Sequence, residues 1–153
     1  MISRRRRTEA LIESDRSVAL ELASRVAEEL DVAEVTHPHQ GLVMCEVRET
    51  ARNSRFNLGE ALMTESRVRI GETEGLGVVL GSDDELARAL AIIDAAFGVE
   101  PAPTCLPGIE TSIENAAAEV SSRREREWKA LAASRVSFDT MGGQDMSVQG
   151  VVR

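Results

Sequence analysis

The stretch RFNLGEALMTESRVRIGETEGLGVVLGSDDELARALAIIDAAF, Arg55 to Phe97, decides the fold, because a period of two gives way within it to a helical period. Along Leu62 to Ile70, residues Leu62, Thr64, Ser66, Val68 and Ile70 share one face and Met63, Glu65, Arg67 and Arg69 the other, as in a half-buried strand. Gly71 to Gly75 reads as a turn. Leu76, Val78 and Leu80 are then expected to face inward on the next strand. Gly81-Ser82-Asp83-Asp84-Glu85 ends that strand and opens a helix, with Ser82 placed to cap it, Glu85 to reach back to the cap, and Asp83 and Asp84 at the positive end of the helix dipole. Three acids there would repel phosphate, which favours capping over anion binding. Leu86, Ala89, Leu90, Ile93, Ala96 and Phe97 form the face expected to be buried, and Gly98 lies where a left-handed residue closes a helix.

Upstream, Gly41 to Arg48 alternates with Val43, Cys45 and Val47 on one face, and Arg55 to Leu58 resumes with Phe56 and Leu58 inward, so a hairpin joins them. The expectation is a four-stranded, mostly antiparallel meander from about Gly41 to Leu80. Val32 to Val35 suits a brief strand, and Thr36 to Gly41, with Pro38 in it, suits a loop. His37 and His39 in that loop supply too few ligands for a metal. Nearer the N-terminus, a short helix around Glu9 to Glu13 precedes a longer one from about Ser17 to Leu30, capped by Ser14 or Ser17, with Val18, Leu22, Val26 and Leu30 in its apolar stripe.

Downstream, Pro101, Pro103 and Pro107 mark an extended linker. A long helix follows from about Gly108 to Ala133, and its charged interval Arg123 to Glu127 predicts that it projects from the core. Trp128 on that helix is either packed or part of an interface, with Arg124 one turn away as a stacking cation. Arg135 to Phe138 reads as a short strand able to add to another chain's sheet.

At 153 residues, with 42% hydrophobic and 29% charged side chains, the chain has the composition of one soluble globular domain. No apolar run approaches the length of a membrane span. The start of the sequence has no signal-peptide pattern, and a cytoplasmic location is expected. Cys45 and Cys105 stand apart, without the spacing of a disulfide framework or a zinc site. The net charge of -8 opposes a general nucleic-acid surface. The exception is Arg4 to Arg7, for which a solvated, mobile arm is expected. The expected division is a basic mobile arm over 1–7, a single α+β domain over 8–141 and a mobile tail over 142–153, the sheet being covered by helices with a long C-terminal helix and a terminal strand.

Several segments together resemble the PhnG subunit of the bacterial carbon-phosphorus lyase complex: Phe56, Gly59 and Glu60 in FNLGEALMTESRVRI, the GLGVVLGSD turn, Ala91 to Ala95, and Ala133 to Met141. The resemblance implies a cytoplasmic subunit that works with PhnH, PhnI and PhnJ in organophosphonate catabolism. It is needed when a phosphonate replaces the adenine of ATP at the ribose C1, giving a ribose 1-phosphonate 5-triphosphate. ATP is then a substrate of the complex, and this chain alone binds no cofactor or metal and contributes no catalytic residue. That transferase activity belongs to the assembly only, and a homodimer is expected when the partners are absent. From the residues, Asp94 and Glu60 are the acids to inspect first, and no nucleophile-base pair or phosphate-binding glycine loop accompanies them. The candidate partner-interface residues are Phe56, Glu60, Trp128, Arg135, Val136, Phe138 and Met141. The competing reading is a free-standing interaction or regulatory module whose Arg4 to Arg7 arm engages a polyanion.

Overall fold

A computed structural model describes residues 2–133. The order is α1 (Arg4–Glu13), α2 (Arg16–Glu29), β1 (Ala33–Arg48), β2 (Arg55–Ile70), β3 (Thr73–Leu80), α3 (Asp84–Ala96) and α4 (Leu106–Ala133). The strands form one antiparallel sheet in the order β1-β2-β3. The fold is α+β, as the sequence predicts, with a long helix at its C-terminal end.

The centre of the molecule is α3, which buries Ala87, Ala89, Leu90, Ala91, Ile92, Ile93, Ala95 and Ala96. Its alanines at 87, 91 and 95 recur every four residues and lie against β3. There a Cβ on Gly75 would meet the Ala91 carbonyl oxygen at 2.1 Å, and one on Gly77 would meet that of Ala87 at 1.8 Å. The helix and strand thus approach too closely for any side chain between them. This contact corrects the expected register of β3. Gly75, Gly77 and Val79 face the helix, whereas Leu76 and Leu80 are exposed on the opposite face. On β2 the expected face holds, with Thr64, Ser66, Val68 and Ile70 buried.

Helix α2 packs on the other side of α3, and α1 packs on α4. The apolar stripe of α2 buries Leu22 and Val26, and α4 buries Ile109, Ile113, Ala116 and Val120. Each such buried aliphatic side chain contributes about 1.5–3 kcal/mol relative to leaving it exposed.

Helix boundaries differ from expectation because aspartates outcompete the serines as caps. Asp15 caps α2 by accepting from the Ser17 amide, and Asp83 caps α3 by accepting from the Leu86 amide at 3.0 Å. Ser82 instead accepts from the Gln40 side chain. Glu85 pairs with Arg16 and does not reach back to the cap. Gly98 does not adopt a left-handed conformation, and the C-cap of α3 is Phe97, in a right-handed one.

The expected arm at Arg4 to Arg7 is the first part of α1, capped by Ser3. Arg7 is buried, its guanidinium 4.0 Å from the centroid of the Phe97 ring. The reason lies on α3. Asp94 accepts from Arg4 Nε at 2.8 Å, from Arg7 at 3.0 Å and from the Leu76 amide at 3.1 Å, so one carboxylate ties α1, α3 and β3 together. Burial pulls the Arg7 pKa below its ordinary value, while the bond to Asp94 opposes that shift.

The meander has three strands, not four. The expected loop at Thr36 to Gly41 is absorbed into β1, with register shifts between Glu34 and Thr36 and between Thr36 and His39. Gly59 does not end β2 either. It remains paired with Cys45 at φ +149, and the register slips by one residue beside it, so Leu58 is the extra residue of a bulge.

Candidate partner interface

The sheet is not covered along its whole length. β3 pairs with β2 only from Ile70 to Met63. Beyond that point β1 and β2 continue as a two-stranded ribbon, from Leu42 opposite Leu62 to Arg48 opposite Arg55. At about 3.3 Å per residue, the eight residues Arg55 to Leu62 carry it roughly 25 Å past the end of β3. Its tip is closed by the Glu49 amide donating to the Ser54 carbonyl, with Asn53 at φ 57, a conformation that asparagine tolerates well.

The ribbon is apolar on both faces. Leu42 is 64% exposed, Met44 60%, Phe56 48% and Leu58 70%. The expectation that Cys45, Phe56 and Leu58 face a core is therefore corrected: among the described residues no helix covers this part of the sheet, and Phe56 and Leu58 are exposed. A signal was present in the sequence, since Leu42, Val43 and Met44 are consecutive apolar residues, and a strand covered on one side only has no use for apolar side chains of both parities. Phe56 lies opposite Val47, and Glu60 opposite Met44, so both candidate residues sit on this ribbon.

The second region is the end of α4. From Ser121 to Ala132 every residue is exposed, which bears out the expected projection. Trp128 is 72% exposed, so its reading as core falls away. Arg124 does not serve it as a stacking cation, because its guanidinium is held by Glu9 at 3.0 Å and by Glu13 on α1. Arg123 donates to the carbonyl oxygen of Glu13 at 2.7 Å, so α1 braces the midpoint of α4 and leaves the turn bearing Trp128 outward. Arg135, Val136, Phe138 and Met141 lie outside the described residues.

Side chains that suggest chemistry are engaged structurally. Asp94 is occupied by two arginines and an amide, as above. Glu29 on α2 accepts from the amides of Thr104 and Cys105 at 2.6 and 2.9 Å, immediately before α4, and so acts as a cap supplied by another element. Hydrogen bonds from the Cys105 thiol and the Thr104 amide hold its carboxyl down at about 2. Burial, with Glu29 beside it, pushes the Cys105 thiol up, away from the thiolate that a nucleophile requires. His37 contacts Glu34, which Arg88 also binds at 2.7 Å. Among the described residues no three His, Cys, Asp or Glu side chains come together as a metal site, and no helix is long and apolar enough to cross a membrane.

Comparison with known proteins places this architecture. The family described as phosphonate metabolism protein PhnG matches residues 2–143. The chain belongs to the PhnG family. Over 112 residues, 72% of this chain and 70% of the relative, it is 37% identical to the alpha-D-ribose 1-methylphosphonate 5-triphosphate synthase subunit PhnG of Rhizobium meliloti (strain 1021). For a PhnG-family chain, a projecting apolar ribbon and an outward tryptophan are surfaces suited to assembly with other subunits.

Proposed function

We propose that this chain is an accessory, non-catalytic subunit of the synthase that makes a ribose 1-phosphonate 5-triphosphate from ATP and a phosphonate, in organophosphonate catabolism. The observation that carries the reading is the 37% identity with a relative named as a subunit of that synthase. The chain acts as an enzyme only within the assembly, whose other members are homologues of PhnH, PhnI and PhnJ in the cytoplasm. ATP is a substrate of that assembly and not a ligand held by this chain alone.

The exposed end of α4 suits contact with those subunits. Trp128 offers a large aromatic surface of the kind that anchors interfaces. Arg135, Val136, Phe138 and Met141 follow it closely in sequence and are the further residues proposed for the same contact. The ribbon bearing Phe56 and Glu60 is the second surface available for assembly. The competing reading, a free-standing interaction or regulatory module whose basic arm engages a polyanion, has no separate arm to rest on, because Arg4 to Arg7 are part of α1 and two of them, Arg4 and Arg7, bind Asp94.

Co-expression of the tagged full chain with the three homologues tests the proposal. All four are expected to co-purify. Trp128→Ala should lower the recovered partners at least tenfold while leaving the unfolding midpoint of the chain unchanged, because truncating an exposed side chain alters stability by only about 0.5 kcal/mol. If the homologues are soluble and none binds the chain, the proposal fails.

A further inference from the structure

We propose that the ribbon formed by Leu42 to Arg48 and Arg55 to Leu62 is a self-association surface, on which a second copy of this chain pairs antiparallel along the open edge of β2 about a two-fold axis near Asn57 and Leu58. This goes beyond the subunit assignment and does not depend on which other subunits the chain meets.

Four observations lead to it. A hairpin of two strands is marginal in water on its own, and this one carries seven exposed large apolar side chains, Leu42, Val43, Met44, Val47, Phe56, Leu58 and Leu62, without a described helix against it. The outer edge of β2 from Arg55 to Ala61 continues the line of β3 but pairs with no described strand, so its backbone donors and acceptors form a template for one more strand. The edge carries neither proline nor lysine, and its irregularity is the bulge at Leu58.

The third observation is charge. Between Gly41 and Leu62 the acids are Glu46, Glu49 and Glu60 and the bases Arg48, Arg52 and Arg55, three of each, which leaves the ribbon neutral in a chain of net charge -8. Two acidic bodies meeting elsewhere repel one another. Meeting tip to tip through neutral ribbons, they are held apart by more than a Debye length, about 8 Å at physiological salt. The fourth is self-complementarity. Arg55 and Glu60 stand at equal distances on either side of the point between Asn57 and Leu58, so a two-fold antiparallel pairing brings Arg55 of one copy beside Glu60 of the other, and Phe56 beside Gly59. Arg55 also keeps an exposed contact of 3.1 Å with Glu46 on the neighbouring strand β1 of its own chain. A two-fold contact uses one patch twice, which is what a closed dimer requires.

The experiment uses the full chain purified without other subunits. Light scattering and sedimentation over a concentration series should show a monomer–dimer equilibrium. Leu58→Asp should raise the dissociation constant at least 100-fold while the unfolding midpoint of the monomer holds, since Leu58 is exposed. To locate the contact, a spin label is placed at Asn57→Cys in a Cys45→Ser, Cys105→Ser background. The expected result is one inter-copy distance of a few strand spacings, each about 5 Å. A monomer at all concentrations overturns the proposal. So does a dimer whose labels are far apart or that Leu58→Asp leaves intact. A monomer whose ribbon amides exchange slowly also overturns it, because the edge is then filled from within the chain. Loss of dimerisation in the variant, read on the chain without other subunits, supports it, and the subunit assignment is judged separately by the co-purification test that probes Trp128.

Discussion

At Gly77 an added methyl would lie 1.8 Å from the carbonyl oxygen of Ala87 and 2.7 Å from the amide nitrogen of Ala91, both backbone atoms of α3 that no rotamer change can move. Gly77→Ala is therefore expected to destabilise the protein by at least about 2 kcal/mol, read as a lower urea midpoint, because overpacking displaces the helix from the sheet. The sequence conceals this contact. Leu76, Val78 and Leu80 look like an inward face, and only the pairing of Gly75 and Gly77 with Ala87, Ala91 and Ala95 shows that the smaller side of β3 lies inward. Asp94 offers a second test at this scale. Asp94→Ala takes from Arg7, 8% exposed, the carboxylate that hydrogen-bonds its buried charge, and is expected to cost about 3 kcal/mol. Arg4→Ala removes a partner that is 63% exposed and should cost less than about 1 kcal/mol. Equal losses in denaturant melts would contradict this division of roles. Nothing local to Arg4 to Arg7 reveals the pairing, since Asp94 is about ninety residues away.

Among the elements, α4 depends on a cap it does not encode. Glu29 satisfies the amides of Thr104 and Cys105, and its carboxyl sits at about 2, against an ordinary unfolded value near 4.3. A carboxyl depressed on folding gives stability that is present above the unfolded value and is lost as pH falls from there through about 2. Wild type should therefore lose more stability than Glu29→Gln between pH 5 and pH 2, measured by urea unfolding at each pH. Parallel pH profiles for the two proteins would remove Glu29 as the cap. The elements themselves were legible in sequence to differing degrees. The strand face Thr64 to Ile70, the helix after Gly81 and the projecting C-terminal helix follow from periodicity and turn chemistry. The ribbon did not, because alternation identifies a strand but not whether anything covers it, and His37-Pro38-His39 was hidden by bulges that let a proline stand within β1.

The molecule as a whole is a helical body around α3 with two apolar features facing outward, the ribbon and the Trp128 end of α4. The family could be read from segments spread along the chain, Phe56, Gly59 and Glu60, the turn before α3, Ala91 to Ala95 and Ala133 to Met141, on which the resemblance rests. The interface could be read only in part, because exposure is a property of the folded molecule. The central claim, that the chain supports a synthase without performing its chemistry, is tested by omission. Adenine release from ATP with methylphosphonate is measured for the homologues of PhnH, PhnI and PhnJ together, with and without this chain, and for this chain alone. The account predicts release only when all four are combined and none from this chain by itself; release by the other three at an undiminished rate in its absence would contradict it.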